Sequence, residues 1–294
     1  MISSTHILRA GCKINLFLEV TGKRNDGMHT VASLLLPLPV PCDALRVTIS
    51  NAQGMNFACS LPQLHTEYTT LHRAYDLFCD ACGCRPGIDV FLQKGIPLGA
   101  GLGGGSADAA VFLRFLNRHM AGKGMPSLDA ASLRDLAARI GADVPFFLLD
   151  APALASGIGE ILQPVPSPVA GMFLVLACPP LHIATRWAYA LWDERGKNAA
   201  SEYFPLPPLT LSGDPDTKRV VHGTWLKNDF ESVMFPEYPE LYELKCFFFR
   251  HGAAAAVMSG TGSSMFGVFA SQDHAEKTAA LLRKTYGRVF CRRL

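Results

Sequence analysis

The most constraining feature of this chain is a run of glycines that leads directly into a helix. Five glycines fall within the seven positions 99–105, and the next residue, Ser106, can cap the helix that follows. Glycine lets the backbone take left-handed angles and lets a ligand approach the main chain, while a helix start offers unpaired N–H groups and a positive dipole end. The run therefore predicts an anion cradle suited to the di- or triphosphate of a nucleotide.

Two common glycine-loop motifs fit this run poorly. Gly99, Gly101 and Gly104 spell G-x-G-x-x-G, but the dinucleotide fold places this turn after its first strand and needs an acidic residue about 20 positions later. The corresponding window here, 121–125, holds no acidic residue. The Walker pattern fails too, since no Gly-Lys-Ser/Thr closes the loop.

Hydrophobic periodicity predicts a mostly β beginning followed by helices. Apolar residues alternate over 14–20, which indicates a strand with one buried face and with Lys13 and Asn15 together on the other. Further strands are predicted over 45–49 and 88–92. Helices are predicted from a cap at Thr70 and over 133–140, the latter closed by Gly141 in a left-handed conformation.

A second unit is predicted after the proline-rich stretch 163–168, where strands and a helix begin again over 172–177, 253–258, 265–269 and 274–284. We therefore expect two domains, 1–160 and 161–294. The composition of 195–224 shifts to Ser, Pro, Gly and charge, which is typical of a long exposed connection.

Composition narrows the class of protein. A net charge of +2 indicates no nucleic-acid partner, and no apolar run reaches the about 20 residues of a membrane span. Nine cysteines without a signal peptide favour free thiols and a cytoplasmic location. Cys79, Cys82 and Cys84 suggest zinc, but lack an obvious fourth ligand, so a half-buried helix end is favoured. The sequence leaves a monomer and a homodimer open.

Six segments together resemble the GHMP kinase family, and they follow the family's order along nearly the whole chain. Residues 97–110 (PLGAGLGGGSADAA) closely resemble its phosphate-binding loop, and the GLGGGS form resembles the branch that phosphorylates 4-diphosphocytidyl-2-C-methyl-D-erythritol. The other matching segments are AGCKINLFL at 10–18, GMH at 27–29, GADVPFF at 141–147, NDFE at 228–231 and SGTGSS at 259–264.

This resemblance implies an α+β, two-lobed GHMP kinase fold. It has an N-terminal ribosomal-protein-S5-like domain and a C-terminal ferredoxin-like α/β domain, with the active site between them. It also implies ATP-dependent phosphorylation of the C2 hydroxyl of that metabolite, in the non-mevalonate isoprenoid route. Two alternatives stay open: a GHMP kinase for homoserine, mevalonate or a sugar, and a non-catalytic nucleotide-binding protein. The retained Lys13 and Asp143 argue against the second, since a binder needs no base.

The resemblance also assigns roles to single residues. The residues alone predict that Asp143 caps a helix or turn on a bend, with extended backbone at Val144-Pro145. The resemblance instead implies that Asp143 is the catalytic base, with Lys13 beside it. Met28 stands where the family usually has a Tyr that stacks on cytosine. The implied substrate-binding residues are Asn15, Met28, His29, Thr185 and Tyr189; the implied nucleotide-binding residues are Pro97, Gly99, Ala100, Gly101, Leu102, Gly103, Gly104, Gly105 and Ser106.

The expected ligands follow from the phosphate chemistry. Transfer from ATP almost requires a divalent ion, and Mg²⁺ is the usual choice because it bridges phosphate oxygens while keeping several waters. Its protein ligands are unknown from the sequence, although Ser106 could reach the ion. The family usually has a second Ser where this chain has Ala107.

Overall fold

The computed structural model describes residues 4–65, 67–196 and 226–294. The predicted exposed connection over 195–224 lies almost entirely outside the described residues.

The first sheet is built around one long hairpin. Its strands β1 and β2 pair antiparallel, and β2 continues into a sheet of order β3-β4-β2-β5-β6 in which only β3 and β4 run parallel. The strand bounds are β1 Thr5–Lys23, β2 His29–Ser50, β3 Met55–Cys59, β4 Gly87–Gln93, β5 Ala153–Ser156 and β6 Ile161–Pro164.

Helices pack against this sheet to form the first core. Phe78, Phe112 and Phe146 are fully buried there, each from a different helix. The bounds are a 3-10 turn at Pro62–Leu64, α1 Thr70–Cys82, α2 Gly104–Gly122, α3 Ala130–Ile140 and α4 Val144–Leu149.

The second sheet is fully antiparallel, in the order β10-β7-β9-β8. Phe230, Phe248 and Phe269 centre a separate core there. The bounds are β7 Phe173–Ala177, α5 Thr185–Leu191, a π-helical turn Trp192–Gly196, α6 Glu231–Glu237, α7 Pro239–Arg250, β8 Ala255–Met258, β9 Met265–Phe269, α8 Gln272–Leu282 and β10 Val289–Arg293. The predicted α+β class is confirmed.

A third apolar cluster joins the two sheets and corrects the prediction for the first strand. Ile14 and Leu16 of β1 pack with Leu174 and Leu176 of β7. Lys13 and its neighbour Asn15 on the opposite face are also buried, at 5% and 3% exposure. The prediction of one buried face was therefore wrong. The second lobe packs against the apolar side through β7, and residues of the site, including Ser33 and Asp143, cover the polar side.

Two predicted helix ends also differ. Thr69, not Thr70, caps α1, and it forms a reciprocal capping box with His72. Gly141, which follows α3, has φ −178° and is extended, so the predicted left-handed stop was wrong.

The change from one sheet to the other falls between Pro164 and Phe173, because β6 still pairs with β5. A domain division at 160 stays a prediction. None of the helices in the described part of the chain has the length and apolar character of a membrane span.

Candidate active site

The glycine loop connects β4 to α2, and its own backbone starts the helix. Gly103 precedes α2 in a left-handed conformation, with φ 72°, and no side chain caps the first turn. The prediction that Ser106 caps α2 was wrong. Ser106 lies within the first turn, because the left-handed Gly103 starts the helix without a capping side chain. The uncapped N–H groups of this turn remain able to bind an anion.

A second glycine segment, 259–264, braces the first. The Ser259 hydroxyl donates to the Gly101 carbonyl at 3.0 Å, and the Ser264 amide donates to the Ala100 carbonyl at 3.2 Å. A side-chain carbon at Gly101 would lie only 2.0 Å from the Ser259 carbonyl oxygen, so this contact requires glycine. The two loops thus form one unit.

The NDFE segment holds this second loop in place. Asn228 is buried, and its amide nitrogen donates to the carbonyls of Met258 and Gly260, each at 2.7 Å. The neighbouring Asp229 accepts from the Val20 amide at 2.9 Å, which attaches β1 to the second lobe. The segment therefore fixes the loop relative to both lobes.

Lys13, Asn15 and Asp143 meet where β1 faces the glycine loop. The Lys13 ammonium donates to Asn15 Oδ1 at 2.5 Å and lies 3.9 Å from Asp143 Oδ2. Asn15 Nδ2 donates in turn to the Ser33 hydroxyl at 2.8 Å, which fixes the amide orientation. Burial lowers the pKa of Lys13, and the Asp143 carboxylate opposes that shift.

Asp143 lies immediately before α4, and its carboxylate makes no capping bond to that helix. The extended backbone predicted at Val144-Pro145 was wrong, because proline fits the first turn of a helix, where its missing N–H has no partner to lose. The side chain is 36% exposed and faces the cavity. A capping role is therefore not what holds this carboxylate.

The far end of the site is a stack of two rings tied to a carboxylate. His29 and Tyr189 stack with centroids 4.7 Å apart, and His29 Nε2 lies 2.7 Å from Asp193 Oδ1. Lys23 binds the other carboxylate oxygen at 2.5 Å, and these hydrogen bonds lower the pKa of Asp193. Burial raises the pKa of Tyr189 to about 12. Met28 is 48% exposed and is not the residue stacked on Tyr189.

One cavity of about 860 Å³ unites these features, a size typical of small-molecule sites. Every predicted site residue lines it: Lys13, Asn15, Met28, His29, Pro97, Gly99, Ala100, Gly101, Leu102, Gly103, Gly104, Gly105, Ser106, Asp143, Thr185 and Tyr189.

Sequence reasoning missed four charged residues that line the same cavity, namely Lys23, Lys94, Arg186 and Asp193. Helical spacing could have found two of them. Arg186 precedes Tyr189 by three positions and Asp193 follows it by four, so both fall near its helix face.

The described residues contain no group of three or more His, Cys, Asp or Glu side chains able to hold a metal ion. Cys79, Cys82 and Cys84 belong to no such group among the described residues. Cys79 and Cys82 are instead buried at the end of α1, as the sequence favoured.

Comparison with known proteins identifies the family of this chain. The models for the GHMP kinases N terminal domain and the GHMP kinases C terminal match residues 69–151 and 219–288. A protein of Nitratidesulfovibrio vulgaris (strain DP4), a 4-diphosphocytidyl-2-C-methyl-D-erythritol kinase, is 44% identical over 286 residues, covering 96% of both chains.

Two solved structures share the fold. A 4-(cytidine 5'-diphospho)-2C-methyl-D-erythritol kinase superimposes with a TM-score of 0.74 at 32% identity, covering 97% of this chain and 98% of that one. A homoserine kinase from Cytophaga hutchinsonii gives a TM-score of 0.70 at 16% identity, covering 99% of this chain and 95% of that one, a likeness of fold alone. The chain therefore belongs, as predicted, to the GHMP kinases, which are ATP-dependent small-molecule kinases, and within them to the family of its 4-diphosphocytidyl-2-C-methyl-D-erythritol kinase relatives.

Proposed function

We propose that this protein transfers the γ-phosphate of ATP to the C2 hydroxyl of 4-diphosphocytidyl-2-C-methyl-D-erythritol. The observation that carries the proposal is the position of Lys13 and Asp143 in one cavity, between the glycine loop and the His29–Tyr189 stack. The names of the high-identity relatives support the choice of acceptor.

In this proposal, Asp143 orients the acceptor hydroxyl and takes its proton as the hydroxyl oxygen attacks the γ-phosphorus. The bond from that phosphorus to the bridging oxygen of ADP breaks, so atoms and charge balance. Lys13 stabilises the charge that develops on the transferred group, and its contact with Asn15 holds the ammonium in place. The glycine loop and the first turn of α2 bind the phosphates.

The acceptor lies along the rest of the cavity. Asn15 and Thr185 bind near the reacting hydroxyl, while Tyr189 and His29 offer rings to the nucleobase. Met28 contacts the base through its polarizable thioether, with less geometric control than an aromatic ring would give.

A Mg²⁺ ion fits this site as a companion of the triphosphate. The described residues offer no dedicated metal cluster, which suits an ion that is held mainly by phosphate oxygens and waters. Ser106 would supply a protein oxygen, since it lines the cavity beside the glycine loop. When bound, the ion would neutralise charge on the phosphates.

We further propose that the protein acts in the cytoplasm as a monomer or homodimer. All nine cysteines are free thiols, which favours a reducing compartment.

The test is a parallel assay of ADP release. Purified protein, ATP and Mg²⁺ are incubated with the cytidine diphosphate acceptor, with homoserine and with mevalonate. We expect turnover of the first alone. Turnover of another acceptor would replace the proposed substrate, while turnover of none would favour the non-catalytic alternative.

A further inference from the structure

The cations that line the cavity differ in whether they already have a partner. Lys13 contacts Asn15 and Asp143, Lys23 contacts Asp193, and Lys94 contacts two buried carboxylates. Arg186 lines the same cavity, yet makes no ion pair or hydrogen bond with any residue that the structure describes. The cavity proposed to bind polyphosphates therefore holds an arginine whose donors have no partner among the described residues.

The position of Arg186 is fixed by the two ends of α5. Just before the helix, the Ile183 amide donates to the Gly99 carbonyl at 3.2 Å, so the start of α5 is attached to the glycine loop. One turn after Arg186, Tyr189 stacks on His29. Arg186 thus lies between the phosphate-binding end of the cavity and the ring-stacking end.

The proposed acceptor carries its diphosphate in the corresponding place, between the reacting polyol and the nucleobase. A guanidinium group presents a planar fork of N–H donors that matches phosphate oxygens, often with two bonds at once. We propose that Arg186 binds the diphosphate of the acceptor and so selects acceptors that carry one; this inference rests on the proposed function. Arg186 is then a specificity residue, and homoserine or mevalonate leave it without a partner.

Two other roles for Arg186 predict different measurements. An arginine that binds the triphosphate of ATP would change KM for ATP or kcat. An arginine that only meets solvent would change neither, because Arg186 is exposed and a merely solvated side chain contributes little.

The experiment compares Arg186→Ala with Arg186→Lys and with a matched control, Arg250→Ala. Arg250 is exposed at the end of α7 and does not line the cavity. We expect Arg186→Ala to raise KM for the cytidine diphosphate acceptor by about 10- to 100-fold, as for loss of hydrogen bonds to a charged group. KM for ATP and kcat should change less than about threefold, Arg186→Lys should recover part of the loss, and Arg250→Ala should match wild type.

A binding measurement separates this inference from the proposed function. Titration calorimetry gives Kd for CDP and for cytidine with wild type and with Arg186→Ala, without any turnover. We expect the ratio of Kd for cytidine to Kd for CDP to fall at least about tenfold in the variant, while its Kd for cytidine is unchanged. Equal loss of both ligands, unchanged binding of both, or an effect confined to ATP would overturn the role of Arg186. Failure of the wild type to phosphorylate the acceptor would overturn the proposed function instead.

Discussion

Two lysines with buried side chains lie close to the glycine loop, and the carboxylates that bind them differ in number and exposure. A side-chain carbon at Gly103 would lie 3.2 Å from the Lys13 stem, and one at Gly104 would lie 3.3 Å from Asp43, a partner of Lys94. Lys13 has one carboxylate, at 3.9 Å, which is 36% exposed to the cavity. Lys94 has two, from Asp43 and Asp108, which are almost completely buried. We call Lys13 with Asp143 the open centre, and Lys94 with Asp43 and Asp108 the closed centre.

The pKa values of the two amines move in opposite directions. Burial alone lowers the pKa of Lys13, with partial compensation from Asp143. Burial also acts on Lys94, but the carboxylates of Asp108 and Asp43 raise its pKa overall. Asp43 also accepts from the amides of Gly95 and Ile96, so the closed centre holds the chain just before the glycine loop.

The exposure of the carboxylates, more than the residue types, separates the centre that can react from the centre that supports the structure. The Asp143 carboxylate faces the cavity and has room for a substrate hydroxyl. Lys94 also lines the cavity, but the carboxylates that bind it are buried, and Asp43 already accepts from two amides. We therefore expect substitutions in the closed centre to affect stability and substitutions in the open centre to affect turnover.

The largest effect should follow from Lys94→Met. This change leaves two buried carboxylates without their cation, and we expect the free energy of unfolding to fall by about 3–5 kcal/mol. Urea denaturation measures it. Lys13→Met is the matched control, since its partner carboxylate is partly exposed and the main loss is the hydrogen bond to Asn15, which should cost about 1–2 kcal/mol. Equal losses of unfolding free energy in both variants would contradict the expected difference between the two centres.

The next effect is on turnover. Asp143→Asn should lower kcat by at least about 100-fold, because the amide cannot take a proton, while Kd for ATP stays nearly unchanged. Steady-state kinetics and nucleotide titration measure both quantities. Asp135→Asn, an exposed aspartate on α3, is the control and should behave as wild type. A parallel loss of ATP binding would assign Asp143 to structure or metal binding.

The pH dependence should reveal the lowered pKa of Lys13. We expect kcat to fall on the alkaline side below the ordinary lysine pKa of 10.5, because the protonated amine is lost there. In Asp143→Asn the residual activity should fall at a still lower pH, since the carboxylate that favours the charged amine is gone. A profile that does not move between the two proteins would contradict this coupling.

Protein stability should also depend on pH through the lowered pKa of Lys13. Between the lowered pKa of the folded state and 10.5, the unfolded chain binds a proton that folded Lys13 lacks, so this residue makes stability rise with pH. Lys13→Met should lose that rise. Thermal unfolding of both proteins across this window measures the difference.

The smallest effect concerns the contact between Thr70 and the first turn of α2, at the edge of the cavity. The Thr70 hydroxyl donates to the Gly105 carbonyl at 2.8 Å. We expect Thr70→Val to raise KM for ATP by about 2- to 10-fold with little change in kcat, the size of one net hydrogen bond. Thr285→Val, at an exposed threonine after α8, is the control. A larger effect on kcat than on KM would contradict this expectation and would link the contact of Thr70 to the open centre.

Local sequence predicted the parts of this fold that depend on local backbone preference. The glycine run, the strand around Lys13 and the existence of α1 and α2 follow from turn propensity and periodicity within one segment. The roles of Lys13 and Asp143 came from a family resemblance and stay predictions. The predictions of a Ser106 cap on α2 and of extended backbone at Val144-Pro145 were wrong. Each sequence permits two backbone conformations, and contacts with neighbouring structure determine which one forms.

The closed centre could not be predicted because its members are distant in sequence. Asp43 and Lys94 are 51 positions apart, and Asp108 follows Lys94 by 14. Each reads alone as an ordinary surface charge, and only the packing of β2, β4 and α2 brings them together. The same holds for Lys23 and Asp193, whose contact joins the two lobes across 170 positions.

The fit between Gly101 and the second glycine segment has a consequence for the history of this family. Ser259 lies 158 positions from Gly101 in the chain, yet its carbonyl occupies the space that any side chain at 101 would need. A lineage cannot replace this glycine while keeping the other segment in place. A side chain at position 101 therefore requires the second segment to shift, so a change at 101 can be accommodated only together with a change around 259–262.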